Sequence, residues 1–444
     1  MNENAESRTD LRTTRVFVEG HGCSASEADT EILSGMIARG GYVIVDNERD
    51  ADLSVLVTCS VKKVTEERMV SRIRELNRIH NGKLVVAGCL PKAQPELVSS
   101  IDTNLSMIGP GNLDQILPTI EATLRGQKRL HLEPSKLVKL GLPRTRKNQM
   151  VGIVEISSGC LSSCTFCQVK LVKGVVFSYP EEQIVDEVRL LVSEGVKEIW
   201  LTSTDNAAYG KDSGTNLPSL VRRVCEVDGD FKVRIGMMNP LLTLRMLEEL
   251  ANCFCHDKVF KFLHLPVQTG SERILKMMQR GYTLDDFFES VRLFRERVPD
   301  LTLSTDMIVG FPSETDSEFL QSLELLKYVK PDIVNISRYG SRPGTKAATM
   351  GNQIDASLSK SRSSEMTRLV KEISLERNKR WISWTGPALY DEVVKSAVVG
   401  RNFAYKPCLL RYDPITKDMT HLLGTSHTVR VTGATSSTLR VALA

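Results

Sequence analysis

Cys160, Cys164 and Cys167 stand at C-x3-C-x2-C spacing directly after Gly159. So short a stretch cannot span a domain, and its three sulfurs can enter one small volume and ligate one soft metal centre. A cube of four irons held by three cysteines keeps one iron open for a substrate or cofactor, much as catalytic zinc sites keep an open position. A zinc knuckle or unrelated buried thiols are the plainer alternatives. Cys23, Cys59 and Cys89 form a second, dispersed group. Each follows a β-rich run and opens a turn or helix, so a parallel sheet would bring all three to the edge where ligands bind. Gly22 and Gly88 would let the backbone approach a bulky inorganic core. Three ordinary buried cysteines remain the alternative there.

The other cysteines, Cys225, Cys253, Cys255 and Cys408, lack such a pattern and read as structural. His21 and His264 lie near strand ends, but neither has a sequence partner that suggests acid–base catalysis.

These groups need elements to hold them. After a tail at residues 1–14, expected to be disordered, an N-terminal domain over 15–128 carries β-rich runs at Arg15–Val18, Tyr42–Val45, Leu53–Val57 and Leu84–Val86. Helical stretches lie between them, the first with Ser24 or Ser26 as candidate N-cap. This pattern implies a small parallel α/β sheet. Residues 129–149 include Lys136, Lys139, Arg144, Arg146 and Lys147 and read as a basic linker able to touch phosphates.

Residues 150–374 repeat strand-then-helix six times, with strands at Gly152–Ile156, Glu198–Thr202, Lys232–Met237, Lys261–Leu265, Thr302–Ile308 and Ile333–Ser337. Six units fall short of the eight that close a full barrel, so a partial (βα)6 barrel is expected, with Cys160, Cys164 and Cys167 in its first rim loop. Residues 375–444 hold short runs at Ala388–Val394, Leu409–Tyr412, Thr428–Thr432 and Leu439–Ala442. They suggest a small β-barrel. Residues 371–444 hold 11 Lys+Arg against 6 Asp+Glu, a net of +5, which favours nucleic acid as a partner.

The whole chain has 444 residues, 41% hydrophobic and 25% charged, with a net charge of +4. That is a globular composition. No apolar run approaches the ~20 residues that span a bilayer. The polar Met1–Asp10 stretch lacks an apolar core of the secretory kind, so the cytoplasm is the expected compartment and no membrane partner is expected.

With an aromatic, Phe166, before its last cysteine, the triplet resembles the signature of radical S-adenosylmethionine (SAM) enzymes. Nearly the whole chain resembles the methylthiotransferases among them. The matching stretches include Phe262–Ser271, Asp306–Thr315 and Arg342–Thr345, and a C-terminal barrel similar to the TRAM type near Gly400–Asn402 and Tyr405–Pro407. Glu198–Ser203, Ala208–Pro218 and Arg234–Pro240 resemble the archaeal and eukaryotic branch that modifies threonylcarbamoyladenosine in tRNA. Leu171-Val172-Lys173-Gly174, Ser313 and His21 depart from the family pattern, and no cluster ligand is lost.

The resemblance implies two 4Fe–4S clusters, one on Cys160, Cys164 and Cys167 and one on Cys23, Cys59 and Cys89, with SAM bound at the first. It implies a methylthio group added to carbon 2 of the modified adenosine at tRNA position 37, with an external electron donor and a sulfur donor of unknown identity. Phe166 is then expected against the SAM adenine. Thr204, Asp205 and Asn206 are expected near its amine and carboxylate, and Gln268, Asp306 and Tyr339 at later strand ends. Isopentenyladenosine tRNA or a ribosomal protein are rival substrates, and a non-catalytic iron–sulfur sensor or tRNA-binding protein is a rival of another class.

Overall fold

A computed structural model describes residues 13–60, 63–412 and 419–444. Most of the expected disordered tail, residues 1–12, lies outside the described residues. The chain divides into two compact units, Met1–Lys147 with Leu171–Gly174, and Asn148–Lys170 with Val175–Ala444.

The first unit is built on a six-stranded parallel sheet in the spatial order Val43–Val45, Arg15–Gly20, Leu53–Thr58, Leu84–Gly88, Ser106–Ile108, Leu130–His131. Both faces are covered. Val55, Val57, Val85 and Ala87 pack with Ile32, Leu33 and Ile116 on one side, while Leu56, Leu84 and Val86 pack with Met69, Ile73 and Leu76 on the other. Burial on both faces makes the strands almost continuously apolar, which rendered the central ones legible in the sequence.

The basic segment expected as a linker is instead a packed strap. Lys139 is buried and its ammonium pairs with Asp29 at 2.5 Å. The Thr145 amide donates to the Glu31 carbonyl at 2.9 Å. A Cβ added at Gly35 would lie 2.4 Å from the Arg144 nitrogen, so the strap crosses the helix Ser24–Arg39 at backbone contact. Its cover explains why that helix buries Asp29 and Glu31. Burial pushes the Glu31 carboxyl up to about 7.

In the second unit six parallel strands run Val151–Glu155, Glu198–Thr202, Lys232–Ile235, Phe262–His264, Thr302–Val309 and Ile333–Arg338. They pair as two groups of three. A bridge between Val233 and Val259, and a hydrogen bond from the Met238 amide to the His264 carbonyl at 3.0 Å, join the groups into one arc. Among the described residues the first and last strands do not pair, so the arc is an open partial barrel.

A closed five-stranded barrel follows, formed by Thr385–Val394, Ala397–Arg401, Pro407–Arg411, Leu439–Leu443 and Ser426–Ala434. The helix Ala356–Lys379 runs without a break through residue 374. A buried ion cluster fixes the barrel to the arc. Asp332, after the helix Asp316–Val329, accepts from barrel Lys406 at 2.8 Å and from Arg377 at 3.1 and 3.2 Å. The Lys261 amide also donates to the Phe403 carbonyl at 2.8 Å.

Candidate active site

Cys23, Cys59 and Cys89 each follow one of three adjacent parallel strands, Arg15–Gly20, Leu53–Thr58 and Leu84–Gly88. Chain order reverses between the first two strands, at the sheet edge where α/β folds take ligands. Cys23 itself is the N-cap of the helix Ser24–Arg39, in place of the expected serines. Its thiol is held well below its usual range, foremost by a hydrogen bond with the Cys59 side chain, and further by the Lys173 charge and Ser26. Burial pushes Cys89 up to about 11 despite the same Lys173 charge.

The glycines around these thiols are required by space as well as by conformation. Gly22 has φ +142°, and a Cβ there would lie 2.6 Å from the Cys59 Cβ. Gly88 has φ +94°, and a Cβ would meet the Thr58 carbonyl oxygen at 2.5 Å.

Cys160, Cys164 and Cys167 occupy the loop after Val151–Glu155, all half-buried. Backbone bonds pin this loop: the Thr165 amide donates to Met278 at 3.1 Å, its hydroxyl to Met277 at 2.9 Å, and Ala347 donates back to Thr165 at 2.9 Å. Asn239 supports it from another strand end, its Nδ2 donating to Ser162 Oγ at 3.0 Å. The Asn239 amide in turn donates to Asp205 Oδ1 at 3.0 Å. Arg280 Nη1 lies 3.2 Å from Cys164 Sγ. Burial pushes Cys167 up to about 11 and raises Cys160, whose next largest influence is the nearby Asp205 charge.

No disulfide links any of the ten cysteines. Among the described residues no three His, Cys, Asp or Glu side chains converge closely enough to hold a single metal ion. A polynuclear cluster assigns each thiolate to a different iron, and three thiols per site with one iron left open suits that donor set.

The residues expected around SAM separate into distinct settings. Phe166 and Tyr339 join an apolar group with Ile274, Met278, Phe311 and Ile308, and Tyr339 meets Phe311 edge-on at 5.6 Å. Asp205 is buried, with Oδ1 capping the turn that follows it and Oδ2 left without a hydrogen-bond partner. Burial pushes its carboxyl up to about 6. Thr204 beside it is half-buried. Asn206 is wholly interior, accepting from Ser203 Oγ at 2.6 Å and donating to the Leu201 carbonyl at 2.8 Å. Its amide is occupied in holding the strand end. Gln268 is buried at φ +77°, a conformation costly for a side-chain-bearing residue, and bridges to Met307.

Asp306 has partners that the sequence concealed. Its Oδ1 lies 3.0 Å from His264 Nε2 and accepts from Asn335 Nδ2 at 2.8 Å. His264 is thus paired, and so is His21, with Glu19 at 2.5 Å. Spacing gave no sign of Arg280, Asn239 or Ser162; only tertiary structure assembles them.

Residues 154–326 match the Radical SAM superfamily, and residues 15–109 match a family described as uncharacterized protein family UPF0004. The arc and its cysteine loop are accordingly those of a radical SAM enzyme. A radical SAM methyltransferase from Kitasatospora setae, solved with cobalamin and a 4Fe–4S cluster bound, shares the fold with a TM-score of 0.56 over 76% of this chain and 77% of its own, at 15% identity. The chain is 41% identical to the probable threonylcarbamoyladenosine tRNA methylthiotransferase of Pyrococcus horikoshii, over 83% of this chain and 86% of the relative. It is 39% identical to the corresponding Drosophila melanogaster protein, over 95% of this chain and 76% of the relative. The chain belongs to the threonylcarbamoyladenosine tRNA methylthiotransferase family.

Proposed function

We propose that this chain adds a methylthio group to carbon 2 of N6-threonylcarbamoyladenosine at position 37 of tRNA. The observation that carries the chemistry is the pair of three-thiol groups, each set where parallel strands end in an α/β unit. The family supplies the substrate. Cys160, Cys164 and Cys167 would hold one 4Fe–4S cluster, and Cys23, Cys59 and Cys89 a second. When bound, the clusters and SAM supply the radical and the sulfur that substitution at an inert C–H bond requires.

The chain's own residues position and shield. Asp205, with a buried carboxylate oxygen lacking a partner, suits the SAM ammonium, and Thr204 its carboxylate. Phe166 and Tyr339 offer an apolar wall to the adenine and exclude water that would quench a radical. Gln268 stands beyond the strand Phe262–His264, whereas Asp306 lies within Thr302–Val309 and not at its end; already bound to His264 and Asn335, it contributes an oriented polar edge more than a free acid.

For tRNA, the TRAM-like barrel presents exposed Arg411, Arg440 and Arg430 on three neighbouring strands. An external one-electron donor and a sulfur donor complete the reaction, and the cytoplasm is the compartment we assign. No described helix is long and apolar enough to cross a membrane.

The test uses two triple variants of the full chain, reconstituted anaerobically. Cys160, Cys164 and Cys167 changed together to Ala should abolish reductive SAM cleavage. Cys23, Cys59 and Cys89 changed together should spare cleavage and stop sulfur insertion. Retained cleavage in the first, or methylthio product from the second, would sink the respective assignment.

A further inference from the structure

Arg280, shortly after the helix Glu272–Met277, has only 7% of its surface exposed. A buried cation is costly unless anions face it. Among the described residues no carboxylate pairs with it. Its Nη2 donates to the Pro266 carbonyl at 3.2 Å and its Nε to the Tyr282 hydroxyl at 3.4 Å. Tyr282 is itself fixed by donating to the Val267 carbonyl at 2.8 Å. The guanidinium also lies 5.4 Å from the centre of the Tyr282 ring, and its remaining hydrogen bond is from Nη1 to Cys164 Sγ at 3.2 Å. The guanidinium is therefore held by neutral groups and directed at the cysteine loop.

We propose that Arg280 is a positioning residue acting as counter-ion to the cluster on Cys160, Cys164 and Cys167, and that it raises the cluster's reduction potential. The inference rests on the reading that these cysteines hold an iron–sulfur cluster. Accepting one electron from the external donor adds one negative charge beside the guanidinium. A fixed cation in a dry setting stabilises that more negative state preferentially, and hydrogen bonds to ligand sulfur act in the same direction. The planar fork lets one arginine hold the Pro266 carbonyl and the sulfur together, which a lysine does less well.

The experiment is an anaerobic redox titration followed by electron paramagnetic resonance. It uses the full chain with Cys23, Cys59 and Cys89 changed to Ala, so that one cluster gives the signal, and compares Arg280 with Arg280→Gln and Arg280→Lys. Iron per chain is measured on each. With iron retained, Arg280→Gln should lower the reduced-to-oxidised ratio at a given potential about tenfold, equal to about 59 mV for one electron. Arg280→Lys should fall between. An unchanged midpoint with full iron overturns the proposal. Loss of iron from both variants overturns it too, because Arg280 would then be scaffolding for the loop. Absence of any iron-dependent signal with Arg280 in place overturns the cluster reading itself, and the inference with it.

Discussion

Asn239 Nδ2 donates to Ser162 Oγ at 3.0 Å, tying the end of one strand to the cysteine loop that follows another. Asn239 also caps the short helix Pro240–Leu244 through its Oδ1 and anchors Asp205 through its amide. Asn239→Ala should cost about 1–2 kcal/mol through the lost cap. It should also lower iron bound per chain after reconstitution, because the loop loses a lateral support. Full iron with unchanged stability would mean the loop is held by its backbone bonds alone.

Glu198 and Asp391 form a buried carboxyl pair between the arc and the C-terminal barrel. Burial, and then the neighbouring Asp391, push Glu198 up to about 8; burial pushes Asp391 up to about 6. Glu198 Oε1 and Asp391 Oδ1 have no other partner, as expected of two acids sharing a proton. The folded state thus binds more protons than the unfolded one between about pH 4 and 8. This contribution to stability is present at low pH and lost as pH rises through about 8. Glu198→Gln should flatten the fall in Tm between pH 6 and 9, with little effect at pH 5. A parallel fall in both proteins would remove the pair from the pH response.

Ser313 sits at φ +67°, in the left-handed region that favours glycine. The conformation costs a side-chain-bearing residue about 1–2 kcal/mol, partly offset by the greater unfolded-state entropy of glycine. Ser313→Gly should therefore stabilise the chain by roughly 0.5–1 kcal/mol, read as a raised midpoint in denaturant.

Arg430 and Arg440 are exposed on adjacent barrel strands. If each contacts a phosphate, changing either to Ala should weaken tRNA binding and flatten its salt dependence by about 0.7–0.9 in log–log slope. Unchanged slopes in both would move the RNA to another face and strengthen the protein-substrate rival.

The cysteines were legible because their chemistry lies in residue type and strand-end position. The arc strands were equally clear, within two residues at each end, because all but the first follow a helix and each carries β-branched or other apolar residues in a short run. Five strands escaped notice for physical reasons. Ser106–Ile108, Leu130–His131, Ser157–Ser158 and Phe177–Ser178 are too short to show a period, and Gly400 and Arg401 dilute Ala397–Arg401. Charge counts misled more. Lys139 and Lys406 contribute to basic stretches, yet both are buried in ion pairs, so they bind this chain and leave the RNA to others. Arg280 and His264 find their partners 116 and 42 residues away, a distance no local pattern spans.

The central claim is best tested by mass spectrometry of tRNA nucleosides from cells with and without this chain, and from cells carrying the Cys160, Cys164 and Cys167 triple variant. The expected result is 2-methylthio-N6-threonylcarbamoyladenosine only where the intact chain is present, with unmethylthiolated N6-threonylcarbamoyladenosine accumulating in the other two. Equal amounts of the methylthio nucleoside in all three would contradict the account.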